Sequence, residues 1–128
     1  NMTENEISFQ IRKAIFNVYN GLGPGLLESI YQKVLIYELE DLGLQVKYEV
    51  PFPIVYNDIV FDCNFRIDIL VEDSVIIELK SVKNLEDIHY KQLSTYLKLA
   101  DKRLGILVNF NTVNILDSIK RVVYKFED

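Results

Sequence analysis

The sequence predicts an α/β fold: one domain spanning residues 1–128, in which helices flank a mixed central sheet. Three observations carry this. Two helical periodicities open the chain. A nearly apolar pair of alternating segments, Arg66 to Lys80, fills its middle. A third helical stretch then separates that pair from the very apolar run Leu104 to Phe110.

Thr3 and Glu6 are spaced as a capping box, and Ile7, Ile11, Ala14, Ile15 and Val18 follow at helical spacing. Gly21, Gly23 and Pro24 end that helix. A second helix is expected from about Pro24 to Leu42, with Leu27, Ile30, Tyr31, Val34, Leu35 and Leu42 on its apolar side and Gly43 as its C-terminal cap. Leu44, Val46, Tyr48 and Val50 alternate with Gln45, Lys47 and Glu49, a strand with one wet face. Pro51 and Pro53 place a break or an edge there. Ile54 to Tyr56, Asn57-Asp58 and Ile59 to Phe61 read as a hairpin.

The central hairpin follows, turning at Glu72-Asp73-Ser74. Alternation puts Arg66, Asp68 and Leu70 on one face of its first strand and Ile67, Ile69 and Val71 on the other. On its second strand Ile76, Glu78 and Lys80 share a face. Asn84 or a neighbour caps a helix from about Leu85 to Leu99. That crossover places Leu104 to Phe110 parallel to a central strand, and Arg121 to Phe126 adds a short last strand.

Composition narrows the class. With 49% hydrophobic residues and 12% aromatics, the chain of 128 residues has enough for a core. No apolar run reaches the roughly 18 residues of a membrane helix, and no signal-peptide pattern is present. The single cysteine, Cys63, excludes an intramolecular disulfide and a multi-cysteine zinc site, and fits a reducing, cytoplasmic setting. Asn1 ahead of Met2 reads as a cloning remnant. A net charge of −5 is not the footprint of a protein that grips duplex DNA unaided. Contact with nucleic acid is then local, weak or shared with a partner protein, unless the substrate is something else. Lys80, Lys83, Lys91 and Lys98 leave room for a local basic face.

Asp68, Glu78 and Lys80 demand an explanation, because charges on buried strands are costly unless paired or bound to metal. Gly25, Glu28 and Tyr31 recur at i, i+3, i+6 on the second helix, where glycine allows a close backbone approach. Gln92 and Tyr96 share a face of the third helix. Three carboxylates, Glu28, Asp68 and Glu78, form a hard-oxygen set suited to Mg2+ or Mn2+. Lys80 beside such an ion would orient or deprotonate a water, or offset charge at a phosphate. Gln92 and Tyr96 would contact the substrate backbone or orient Lys80.

Asp68 followed by Glu78-Leu79-Lys80 resembles the PD-(D/E)XK nuclease superfamily, and Gln92-x-x-x-Tyr96 looks like the extra motif of its RecB-like members. Gly25-Leu-Leu-Glu28-Ser-Ile-Tyr31 resembles the GxxExxY protein family within it. The similarity runs from about Ile11 to Val123 and includes Arg66-x-Asp68, Tyr96-Leu-Lys98, Leu107-x-Asn109-Phe110 and Ile119-Lys-Arg121. Ile67 stands where a proline often precedes the aspartate. The resemblance implies an αβββαβ restriction-endonuclease-like core with an extra N-terminal helix, and in active members magnesium-dependent phosphodiester cleavage of DNA or RNA. Glu28, Asp68, Glu78 and Lys80 are then the catalytic candidates, with Glu28, Asp68 and Glu78 as metal ligands and Arg66, Gln92 and Tyr96 as substrate contacts.

Blander readings stand beside these. Glu78 and Lys80 can be a solvated pair, Asp68 can pair with Arg66 or Lys80, and Glu28 can face solvent. Gln92 and Tyr96 can be helix-packing residues. His89 reads as structural or solvated, Cys63 as an ordinary strand residue, and Asn109 as a group that satisfies backbone at the end of its strand. Lys120 and Arg121 touch phosphate or solvent. The rival function is a non-catalytic nuclease-fold module that binds a protein or nucleic acid. A homodimer is consistent with small nucleases that cut two strands by two-fold symmetry.

Overall fold

A computed structural model of the chain describes residues 1–63 and 65–127. Two helices, α1 (Glu4–Leu22) and α2 (Glu28–Asp41), precede strand β1 (Val46–Pro51). The hairpin β2 (Ile54–Tyr56) and β3 (Ile59–Phe61) leads to β4 (Arg66–Val71) and β5 (Val75–Lys80). Helix α3 (Asp87–Ala100), β6 (Leu104–Asn109), a 3-10 turn (Ile115–Ser118) and β7 (Ile119–Val123) complete the chain. The main sheet runs β1-β4-β5-β6-β7, with β5 and β6 parallel and the other neighbours antiparallel; β2 and β3 form a separate ribbon. The fold class predicted from sequence is the one observed, including the parallel β5–β6 crossover.

Local chemistry explains the elements. Thr3 and Glu6 close the capping box: the Glu6 N–H donates to Thr3 Oγ1 at 3.1 Å and the Thr3 N–H to Glu6 Oε1 at 3.0 Å. The two-residue turn Asn57-Asp58 and the three-residue turn Glu72-Asp73-Ser74 take positive φ at Asn57, Asp58, Glu72 and Asp73, the geometry that matches the twist of paired strands. The sheet is buried on both faces. Ile69, Val71, Ile77, Leu79, Ile106 and Val108 pack with α1 and α2; Leu70, Ile76 and Leu107 pack with Leu93 and Leu97 of α3. A Cβ on Gly105 would lie 2.9 Å from Leu93 Cδ1, so glycine there admits the close approach of α3.

Several boundaries differ from expectation. Helix α2 begins at Glu28, and Pro24 to Leu27 are non-helical. Gly25 therefore lies outside the helix. Nothing stands within 4 Å of its would-be Cβ, and its φ of +96° is what requires glycine, not a close backbone approach. Leu27 and Ile30 are exposed, and the buried stripe is Tyr31, Leu35 and Leu39. Tyr48 is exposed on the edge strand β1. Helix α3 starts at Asp87, two residues after the expected Leu85, with Glu86 as the capping neighbour of Asn84, and His89 Nδ1 accepts the Glu86 N–H at 3.0 Å, a structural role. The last strand begins and ends earlier than expected, at Ile119 and Val123.

The segment before α2 is tied down by Tyr31. Its fully buried ring stacks on Phe110 at 4.5 Å between centroids. Its hydroxyl donates to the Gly23 carbonyl at 2.6 Å and accepts the Leu26 N–H at 3.1 Å. Ser81 Oγ donates to the Leu26 carbonyl at 2.7 Å, joining the same segment to the end of β5. Tyr31→Phe keeps the stack but strips partners from two backbone groups. It is expected to cost about 1–2 kcal/mol and to lower the melting temperature by about 5–10 °C, read by circular dichroism.

Candidate active site

The site forms where β4 and β5 part. Their pairing runs Val71↔Val75, Leu70↔Ile76, Ile69↔Ile77 and stops there. At the next step side chains replace the backbone ladder. The Leu79 N–H donates to Asp68 Oδ2 at 3.0 Å, and the Asp68 N–H donates to Glu78 Oε1 at a long 3.4 Å. Opposite Asp68 on the other side, β1 also breaks its regular pairing: Glu49 takes φ +50°, a strained value for a residue with a Cβ.

This disturbance corrects the simple alternation expected of β4. Ile67 packs with Leu70 in the α3-side cluster, although they are an odd three positions apart. Asp68 does not follow Leu70 to that side. It lines a pocket of about 170 Å³ with Leu79 and with Glu28, Ser29 and Gln32 of α2, and Glu49 of β1 closes the wall. Glu78 is nearly enclosed, at 7% exposure. Its carboxyl lies beside Asp68 and close enough to Tyr96 on α3 to act on that phenol. Tyr96 is half-buried and its ring meets Phe65 edge-on at 4.1 Å.

Electrostatics follow from this crowding. Burial, then the neighbouring Asp68 charge, pushes Glu78 up to about 9. Burial also raises Asp68, against the Leu79 N–H, the Glu78 carboxyl and Lys80, which pull it down. Glu28 is exposed overall, yet partial burial of its carboxyl in the pocket raises its pKa, with Lys80 opposing and Asp68 adding. Tyr96 is pushed up to about 12 by burial and by the charges of Glu78 and Asp68. Lys80, half-buried at the end of β5, is the cation whose field reaches Glu28, Asp68 and Glu78 alike. Among the described residues the ion pairs join Lys47 and Lys102 to Asp73 and Arg103 to Asp101, so Asp68 pairs with neither Arg66 nor Lys80.

Not every residue singled out in the sequence reaches this place. Arg66 is exposed at the start of β4, opposite Pro51, and lines no wall of the pocket. Gln92 is exposed on α3, one turn before Tyr96, and does not meet Glu28 at a common pocket. Glu28, Asp68 and Glu78 do not form one cluster of three: among the described residues no three acid, histidine or cysteine side chains stand close enough to hold an ion together. Asp68 instead faces Glu78 on one side and shares the pocket with Glu28 on the other.

Two residues of the site were missed. Gln32 Nε2 donates both to the Asp68 carbonyl and to Glu49 Oε1, each at 3.0 Å. Its spacing of four from Glu28 on one helical face was a usable signal. Glu49 gave none, because nothing in the sequence announces a positive φ at a glutamate.

A layered α/β domain thus brings the buried Glu78, the half-buried Asp68 and Lys80 together where two strands part. A family model of the PD-(D/E)XK nuclease superfamily matches residues 5–122, and the chain belongs to that superfamily. No curated protein matches it. Its members generally use divalent metals. The residues fit such an ion: Asp68 and Glu78 supply hard oxygen donors, and a small divalent cation that retains most of its waters needs only one or two carboxylates.

The raised carboxyls fix the pH dependence of the metal-free fold. Each binds its proton more tightly folded than unfolded. The stability that this gives is present in full below about 4.5, the ordinary value for Glu78, and is lost as pH rises toward about 9. Glu78→Gln removes that loss. In chelator, its melting temperature should match wild type near the acid end and exceed it by on the order of 5 °C at the alkaline end. Parallel pH profiles for both proteins would reject this picture.

Proposed function

We propose that this chain is a divalent-metal-dependent nuclease of the GxxExxY kind, hydrolysing phosphodiester bonds of DNA or RNA with Mg2+ or Mn2+. The observation that supports it best is the enclosed Asp68–Glu78 pair with Lys80 beside it. Neighbouring enclosed carboxyls resist ionising together, and a cation relieves that cost. Asp68 and Glu78 would hold the ion, with Glu28 across the pocket as a further acid. A bound divalent cation activates water and stabilises charge on a phosphate.

The remaining work falls to the chain. Lys80 offsets negative charge gathering on the phosphate. Gln32, bonded to the Asp68 carbonyl, fixes the backbone that presents Asp68. Tyr96 keeps its proton and can donate a hydrogen bond to a phosphate oxygen. Arg66 and Gln92, both exposed, contact the strand farther out. Glu78 holds a proton at neutral pH without a cation, so ion binding must release it and strengthens as pH rises.

One observation favours a second reading, a non-catalytic module that binds a protein. The β2–β3 hairpin exposes Val55, Tyr56, Ile59 and Val60 to solvent. The net charge of −5 points the same way.

Cleavage of a panel of single- and double-stranded DNA and RNA decides between them. With Mg2+ or Mn2+, wild type is expected to cut at least one substrate. Glu78→Ala and Lys80→Ala should each lose about a hundredfold or more. Thermal melts give an independent check: metal at a hundredfold excess over its dissociation constant should stabilise the fold by about 2–3 kcal/mol, raising the melting temperature by about 5–15 °C. Manganese should act at lower concentration than magnesium. Asp68→Asn should abolish most of the shift. A melting temperature indifferent to manganese, together with no cleavage, favours the module.

A further inference from the structure

A separate concave surface, of about 310 Å³, opens between the loop that leaves β5 and the start of β7. Lys83 enters it from the loop and Lys120 from β7. Its walls are almost wholly polar, with Tyr90, Asn111 and Ser118 among them. Among the described residues neither lysine is in an ion pair. Asp117 is the acid in its lining, and one of its oxygens already accepts the Asn114 amide at 2.9 Å.

The surface is held rigidly and tied to the site. Asn109, buried at 4% exposure, accepts the Val82 N–H at 3.0 Å and the Asn111 N–H at 3.2 Å, and donates to the Val82 carbonyl at 2.9 Å. Val82, the residue before Lys83, is therefore locked to the end of β6. The same parallel register sets Lys80 beside Asn109. Lys83 lies three residues beyond Lys80, at most about 10 Å along the chain. One polyanionic strand with a charge at Lys80 therefore brings its neighbouring charges within reach of the pocket. Lysines bind phosphate as point charges, and side-chain amides and hydroxyls donate to its oxygens. In a chain with a net charge of −5, a local basic recess is where a phosphate backbone can be received.

We propose that this pocket holds a backbone phosphate of the nucleic-acid strand whose scissile phosphate lies at Lys80, with Lys83 and Lys120 as its cations. The assignment rests on the nuclease reading and adds a second contact point that fixes the strand's direction across the sheet end.

Fluorescence anisotropy of labelled oligonucleotides with the full chain, in chelator so that nothing is cut, tests it. The double variant Lys83→Gln/Lys120→Gln should bind about tenfold more weakly, with a salt slope smaller by about 1–2. Lys13→Gln, an exposed lysine on α1, should bind as wild type, and all three proteins should melt alike. With metal added, the double variant should raise KM and keep kcat. Unchanged affinity and slope in the double variant would overturn the pocket while leaving the nuclease reading intact. No binding and no cleavage by wild type would overturn both. A nuclear magnetic resonance arm titrates inorganic phosphate: shifts at Lys83 in low-millimolar phosphate, with oligonucleotide affinity unchanged in the double variant, would assign a free anion and overturn the strand contact.

Discussion

Two neighbouring carboxyls, Glu78 buried and Asp68 half-buried, between strands that have just stopped pairing set the terms for everything around them. A strand that leaves its partner must satisfy its backbone groups elsewhere. Here Asp68 and Glu78 do so by taking the N–H groups of Leu79 and Asp68. The same bonds hold both carboxyls in place at the open end of the sheet. The chain bears the resulting electrostatic cost as raised pKa values, and Lys80 offsets part of it. Stability and chemistry are thus coupled at one spot, the pattern expected where a fold is strained for function.

The helices then act as positioning devices for that spot. Tyr31 stacks on Phe110 at the end of β6 and staples the Gly23 to Leu26 segment with its hydroxyl, so the first residue of α2, Glu28, stands over the pocket. The positive φ of Gly25 permits the turn into that helix. One turn later Gln32 grips the Asp68 carbonyl. Glycine, glutamate and tyrosine at a spacing of three therefore have three different duties: a turn, a charge and an anchor. On the opposite face α3 brings Tyr96 toward Glu78, steadied by Phe65 and, behind it, Phe52. The aromatic chain also fixes the base of the exposed β2–β3 hairpin.

Charge is distributed to match. The carboxyls gather at one pocket, and Lys83 and Lys120, which among the described residues are in no ion pair, line a recess near the end of β5. A globally acidic protein can engage a polyanion through a local group of cations, since screening limits the repulsion of distant acids to about 8–10 Å.

The sequence alone determined the layered α/β class, the parallel crossover, the capping box at Thr3, the positions of both hairpin turns, and the superfamily. These depend on local periodicity, on caps and turns, or on short motifs, all of which are written along the chain. It also marked Asp68, Glu78, Lys80 and Glu28, because charges on apolar strands and a helical stripe stand out without a structure. What it could not fix was direction. Alternation placed Ile67 opposite Leu70, and only the parting of β4 from β5 and the left-handed Glu49 on β1 turned Asp68 toward α2. Gln92 shares a helical face with Tyr96, but where that face lies was settled by Leu93 packing on Gly105 and by the sheet between α3 and α2. The start of α2 and the entry of Gln32 into the site depended on Tyr31 meeting Phe110, residues 79 positions apart. Periodicity assigns a side chain to a face; contacts between distant segments decide what that face meets.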